Sequence, residues 1–490
     1  MTTTLETLRT EESLDPENWD ELRALGHRMV DDLLAYLRTV RDRPVWRPIP
    51  GDVRASLKGP VPRAPEGADQ AYADFRDYVL PHPMGNIHPR FWGWVMGTGT
   101  PLGALAEMLA AGMNPNMGGG DHVANLVEEQ VLDWCKEMLG FPSDASGLLV
   151  SGGSMANLVG LAVARSARAG FDVRKRGVRA AGGPLTVYAS VETHSSVQRA
   201  VELLGLGSDA LRLVPVNAEL EIDVPALERM VRDDRADGCL PICVVGNAGT
   251  VGTGAIDDLR SLAHLCAAEK LWLHVDGAFG ALATLVPEYR SRLAGMEQAD
   301  SIAFDLHKWM YVPFEAGCTL VRDAEAHRRA FSLRPDYLTH AERGLAAGTL
   351  WFSDYGIQLT RGFRALKVWM SLKEHGLDKY ARLVRQNIEQ ARHLAALVRE
   401  APDLELLAPV PLNIVCFRYV SPGRDEAALD ALNQELLIQL HEQGIAVPSN
   451  LTVGGRFALR VAITNHRSRR EDFDLLVRET RRIGAELARG

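Results

Sequence analysis

From about residue 100 to 325 the chain alternates between short apolar runs and amphipathic stretches. The runs Gly147–Val150, Thr186–Ser190, Leu211–Val214, Ile242–Gly246, Leu271–Asp276, Ser301–Phe304 and Gly317–Val321 are rich in Val, Leu and Ile and too short for helices, so they predict strands. Between them, Ser154–Arg168, Ser195–Leu204, Val224–Asp233 and Asp257–Lys270 carry apolar positions at helical spacing. This alternation predicts an α/β fold with a mainly parallel sheet covered on both faces. Ligand chemistry in such a sheet gathers at the carboxyl ends of the strands.

The flanks have a different pattern. Leu22, Leu25, Met29, Leu33 and Leu37 predict a helix capped by Asn18 or Asp20, followed by an extended Pro-rich stretch, Pro44–Pro65. This N-terminal helical segment, residues 1–85, is too thin to build a core, so it is expected to lie across something else, such as a second subunit. From residue 371 a long helical stretch runs from Ser371 to about Glu400. The strand-like runs Asn413–Tyr419 and Phe457–Ile463 and two more helices follow, which predicts a smaller α+β domain at 371–490. The large domain is then 86–370.

Composition narrows the possible partners. A net charge of -9 argues against nucleic acid or an anionic membrane as a general partner. No apolar run approaches the ~18 residues of a membrane helix. The acidic start lacks the apolar core of a signal peptide, so the expected location is cytoplasmic. The six cysteines are scattered without a CxxC pair, which predicts no metal site and no disulfide framework.

Several strand ends carry residues suited to chemistry. Lys308 follows the run Ser301–Phe304, where a desolvated lysine becomes an amine nucleophile. Taken alone, a surface lysine explains it as well. Asp276 ends a wholly apolar run beside Gly277 and Ala278; a buried carboxylate needs a partner, and a pyridinium nitrogen, a metal or a helix cap would each serve. Ser151-Gly152-Gly153-Ser154 joins a strand to a helix and suits a phosphate cup, although it has neither the P-loop nor the Rossmann spacing. His194 could stack on an aromatic ring, move a proton or simply cap a helix. Gly246-Asn247-Ala248-Gly249-Thr250 supplies small residues and a hydroxyl. Together these are the parts that a phosphorylated pyridine aldehyde requires. The 32 residues from Asp276 to Lys308 match one crossover between neighbouring parallel strands.

The combined motifs resemble the group II pyridoxal-phosphate-dependent decarboxylases, the family of aromatic-L-amino-acid, histidine, tyrosine and glutamate decarboxylases. The shared runs are His88-Pro89-Arg90-Phe91, Ser151 to Ser154, Thr193 to Val197, Leu273 to Ala278, Asp300 to Trp309 and Arg361 to Lys367; the match spans roughly residues 20–480. The resemblance implies a fold type I enzyme with pyridoxal 5′-phosphate as cofactor. It also implies a homodimer with active sites at the interface and the N-terminal segment swapped over the partner. Carried over by position, Lys308 forms the Schiff base, His194 stacks on the ring, Asp276 pairs with the ring nitrogen and Ala278 packs under the ring. Gly153, Ser154 and His307 meet the phosphate, and Thr250 lies near the ring's phenolic oxygen or the substrate carboxylate. Tyr337, in the loop Leu333–His340, becomes the proton donor to the substrate carbon after carbon dioxide leaves.

The implied reaction is decarboxylation of an L-amino acid to its amine. Trp94, with Trp92 nearby, favours an aromatic or hydrophobic side chain, while Asp121 and His122 offer contacts to a polar one. Gly118-Gly119-Gly120 stands where aromatic decarboxylases place bulky residues, which suggests a roomier wall. Asp305 stands where relatives often carry asparagine, and Phe279 where many carry tyrosine. The alternatives are oxidative decarboxylation–deamination to an aldehyde, another carbon–carbon lyase using the same cofactor, an aminotransferase, or a non-catalytic homologue.

Overall fold

The structure, a computed structural model, describes residues 13–333, 341–348 and 350–489. Its larger sheet has strands β1 (Ser146–Val150), β2 (Leu185–Ser190), β3 (Leu211–Val214), β4 (Leu240–Asn247), β5 (Trp272–Asp276), β6 (Ser301–Asp305) and β7 (Gly317–Val321). Their order across the sheet is β1-β7-β6-β5-β4-β2-β3. β7 runs antiparallel to both β1 and β6, and the other neighbouring pairs are parallel. Every residue of β2, β5, β6 and β7 is buried, as near-continuous apolar strands covered on both faces require.

One crossover differs from the usual pattern. Between β5 and β6 the chain makes three 3-10 turns, Gly280–Leu285, Pro287–Leu293 and Met296–Gln298, instead of an α-helix. β5 and β6 are nonetheless adjacent and parallel, so Asp276 and Lys308 leave neighbouring strands at the same edge. Because β7 runs the opposite way, the chain entering it, Phe314–Ala316, reaches that edge too.

The smaller sheet is antiparallel, in the order β10-β11-β9-β8: β8 (Leu404–Leu406), β9 (Ile414–Tyr419), β10 (Ser449–Val453) and β11 (Arg456–Ala462). The pattern predicted β9 and β11 but not β8, which is very short, or β10, which reads Ser-Asn-Leu-Thr-Val and buries little. The β10–β11 hairpin turns on Gly454 and Gly455, both at positive φ, as a two-residue turn of this hand demands. The long helix expected from Ser371 is two helices, Arg364–His375 and Leu377–Glu400, broken at Gly376 with φ 68.

At the N-terminus, Asn18 caps the helix Trp19–Arg38 by accepting from the backbone N–H groups of Asp20 and Glu21. Only Leu25 and Tyr36 of this helix are buried, and Trp19, Leu22, Met29 and Leu34 stay exposed. The chain after it docks on the small sheet's side: Val45 N donates to Gly444 O at 3.1 Å, and Arg41 pairs with Asp472 at 2.8 Å. The Pro-rich stretch is not wholly extended, because it contains the short helix Gly51–Ser56.

Candidate active site

A cavity of about 720 Å³ lies where the strand ends of the large sheet face β10 and β11 of the small one. Gly153, Ser154, His194, Asp276, Ala278, His307, Lys308 and Trp94 all line it. It is the common destination of the chain segments leaving β1, β2, β5 and β6.

The helix Gly153–Arg168 opens directly into this cavity, and no side chain caps its first turn. Its N-terminal N–H groups and positive dipole end are therefore available to an anion. Glycine is required here by close approach: a Cβ on Gly317 would sit 2.5 Å from Gly152 Cα and 2.8 Å from Asp305 Oδ1. The cradle fits a phosphate.

Asp276 is 4% exposed and pairs with no cation among the described residues. Its Oδ1 accepts from Ala278 N at 3.0 Å, and its Oδ2 accepts from Asn157 Nδ2 at 2.8 Å. A buried carboxylate held by neutral donors and facing a cavity suits a protonated ring nitrogen. Lys308 Nζ lies 2.9 Å from Asp305 Oδ2, so the two form an ion pair at the cavity wall. Asp305 Oδ1 is buried without a hydrogen-bond partner. His307 stands 3.7 Å from Asp305 Oδ2, and burial holds its ring below the usual histidine range. These residues fit a phosphorylated pyridine aldehyde: a cup for the phosphate, an acid for the nitrogen and an amine for the aldehyde.

His194 is the N-cap of the helix Ser195–Leu203. Its Nδ1 receives Ser196 N at 3.1 Å and lies 2.8 Å from Ser196 Oγ. Burial lowers its pKa, an effect that the Asp276 charge partly offsets. The imidazole is therefore pinned at its Nδ1 edge in the cavity lining.

Other residues sit differently from expectation. Thr250 is buried and absent from the cavity lining: its hydroxyl accepts from Ala255 N at 3.1 Å and lies 3.3 Å from Thr253 Oγ1, which closes its own loop. His122 also lies outside the lining, at the start of the helix Val123–Leu139, where its Nε2 is 3.3 Å from Asn116 O. The glycine run does not widen the cavity of this chain; a Cβ on Gly119 would come within 2.3 Å of the Trp351 ring. Trp92 belongs to the core, stacked on Phe473 at 4.8 Å, whereas Trp94 is 54% exposed at the cavity mouth. Tyr337 lies outside the described residues.

Sequence reasoning missed Arg460. It is 3% exposed, lines the cavity and pairs with no carboxylate among the described residues. Its donors go to Gly252 O at 2.8 Å, Trp94 O at 2.9 Å, Ser449 Oγ at 3.2 Å and Val251 O. Burial pushes its pKa down to about 10. The signal was present, since an arginine interrupts the otherwise apolar strand run Phe457–Ile463. Asn157 was also missed, although it lies one helical turn beyond Gly153 and so on the same face as the cup.

A fold with a mainly parallel sheet, an anion cradle, an amine and an unpaired buried acid at one edge defines a pyridoxal-phosphate-dependent enzyme. Residues 50–420 match the family model described as the pyridoxal-dependent decarboxylase conserved domain. An aromatic-L-amino-acid decarboxylase from Bacillus atrophaeus is 33% identical over 475 residues, 96% of each chain. A phenylacetaldehyde synthase from Arabidopsis thaliana is 30% identical over 463 residues, covering 92% of this chain and 93% of that one. The Oryza sativa TDC solved with PLP and tryptamine superposes with a TM-score of 0.90 at 27% identity, covering 97% of this chain and 100% of that one. The chain belongs to the pyridoxal-dependent decarboxylase family. It is a carboxy-lyase of amino acids with pyridoxal 5′-phosphate as its cofactor.

Proposed function

We propose that this enzyme removes the α-carboxylate of an aromatic or hydrophobic L-amino acid, releasing the amine and carbon dioxide, with Lys308 as the cofactor lysine. The observation that carries the assignment is the convergence of Lys308, Asp276 and the uncapped helix at Gly153 on one cavity. The bound cofactor supplies a protonated ring that accepts the electron pair left when the Cα–carboxylate bond breaks.

The chain's own groups do the rest. Asp276 keeps the proton on the ring nitrogen. Gly153, Ser154 and His307 would hold the phosphate, and Ala278 and His194 would flank the ring. Arg460, a buried cation without a carboxylate, receives the substrate's carboxylate. Lys308, released from its ion pair with Asp305, would supply the amine that holds the cofactor's aldehyde. Tyr337 donates a proton to Cα. Trp94, Phe279, Leu451 and Val251 line the cavity and support an apolar substrate side chain, as do relatives named for aromatic amino acids.

A phenylacetaldehyde synthase among the relatives keeps the oxidative outcome as a second reading. A homodimer is also part of the proposal, supported by apolar side chains left in water: Met113 is 57% and Val123 65% exposed. A cytoplasmic location is supported by six unpaired cysteines. No helix among the described residues is long and apolar enough to cross a membrane.

The test is a screen of L-amino acids with carbon dioxide, amine, aldehyde and peroxide measured together. Amine from tryptophan, tyrosine or phenylalanine is expected. Turnover confined to acidic or cationic amino acids, or aldehyde as the main product, would overturn the assignment.

A further inference from the structure

Behind Asp276 runs a buried line of side chains that the reaction itself does not use. Trp272 Nε1 donates to Ser301 Oγ at 2.8 Å, and Ser301 Oγ lies 2.8 Å from His274 Nδ1. His274 Nε2 is 2.9 Å from Asn157 Oδ1. The Asn157 amide then reaches two groups, Asp276 Oδ2 at 2.8 Å and Ser196 Oγ at 2.9 Å, and Ser196 Oγ is 2.8 Å from His194 Nδ1.

The two ends have fixed polarity. Indole N–H can only donate, and an ionised carboxylate can only accept. Asn157 must therefore turn its NH₂ toward Asp276, because the flipped amide would set oxygen against oxygen. Its Oδ1 then faces His274, which must carry its proton on Nε2 and accept from Ser301 on Nδ1. Ser301 can do this because its remaining lone pair takes the indole N–H. At the other end, Asn157 donates to Ser196 Oγ, which frees the Ser196 hydroxyl proton for His194 Nδ1. Ser196 N also donates there, which leaves His194 with its proton on Nε2. A fully buried His274 needs one N–H and one lone pair, and burial keeps it neutral by lowering its pKa to about 4.

We propose that Asn157, oriented by His274, is a positioning residue that holds both cofactor-facing groups at once, fixing Asp276 as an acceptor and His194 as its Nε2–H tautomer. One amide spans the two sites because helix Gly153–Arg168 packs both on β5, which carries Asp276, and on the helix Ser195–Leu203, which carries Ser196. The close passage depends on Gly160, where a Cβ would lie 2.5 Å from His274 Cε1. The functional consequence rests on the roles proposed above for Asp276 and His194; the proton positions do not.

The test has two arms. With ¹⁵N-labelled histidine in the cofactor-free protein, long-range ¹H–¹⁵N spectra should show both His274 and His194 protonated on Nε2 alone. A proton on Nδ1 of either ring would overturn the relay, whatever the cofactor roles prove to be. In the holoenzyme, His274→Gln retains a donor for Asn157 Oδ1 and His274→Phe removes it. The phenylalanine variant should lose about tenfold in kcat and about tenfold in cofactor affinity with KM little changed, while the glutamine variant stays within about threefold. Equal losses in the two variants would mean that the ring only fills space and would overturn the proposal. Should His274→Phe fail to fold, Asn157→Leu replaces it, with the same split between kcat and KM expected and an unchanged kcat contradicting it.

Discussion

Lys308 Nζ and Asp305 Oδ2 lie 2.9 Å apart, with the carboxylate side chain only 2% exposed. The lysine thus waits as half of an ion pair, and the other half has no alternative cation closer than His307 at 3.7 Å. Removing Lys308 strands a buried charge. In the cofactor-free protein Lys308→Ala should cost about 1–3 kcal/mol. Adding Asp305→Asn in the same chain should restore most of it. Urea unfolding of the two variants measures this; a single variant as stable as the parent would contradict the pairing.

Replacing Asp276 by Asn preserves shape and volume but removes the charge proposed above to hold a proton on the ring nitrogen. Activity should fall on the order of 10²-fold or more, and cofactor affinity should fall with it. Steady-state kinetics and a cofactor titration check both; unchanged kcat at saturating cofactor would be inconsistent with the role given to Asp276.

Arg460→Met keeps bulk and discards charge. If Arg460 receives the substrate carboxylate, KM should rise about 10-fold or more. The product amine, which lacks that carboxylate, should inhibit parent and variant alike. Equal weakening of amine and amino acid would instead indicate a general collapse of the pocket.

A fourth expectation concerns acid. Burial lowers the pKa of His327 to about 3 and that of His274 to about 4, against the ordinary 6.5. Below pH 6.5 the unfolded chain takes up protons that these rings refuse when folded, so their contribution is intact above that pH and is lost as pH falls toward 4. Each ring costs about 1.4 kcal/mol per pH unit through that window. Asp257, raised to about 6 by burial, acts in the opposite sense, so parent and variant must be compared. Unfolding midpoints at pH 7, 6 and 5 should fall less steeply in His274→Gln than in the parent; parallel slopes would refute the linkage.

The large sheet was readable because its strands are buried on both faces and flanked by helices of clear period. The cavity-lining candidates on the large sheet were readable because they follow strand ends, where topology gathers ligand groups. Arg460 escaped because it comes from β11, and no local pattern reveals that the small sheet closes the cavity. At Thr250 the hydroxyl serves its own loop's hydrogen bonds, which no small-residue pattern distinguishes from a ligand contact. His122 lies near the start of a helix with its ring against a backbone carbonyl, a placement that local pattern does not give. Asn157 needed the fold, since its partners at 196, 274 and 276 come from other elements.

The central claim is that Lys308 bears the cofactor. Borohydride reduction of the holoenzyme, followed by proteolysis and mass spectrometry, reads the attachment point. The prediction is a pyridoxyl-phosphate adduct on the peptide containing Lys308, and no adduct in Lys308→Ala, whose carbon dioxide release should fall on the order of 10³-fold or more. An adduct on any other lysine of the parent enzyme, or full activity in the variant, would contradict the account.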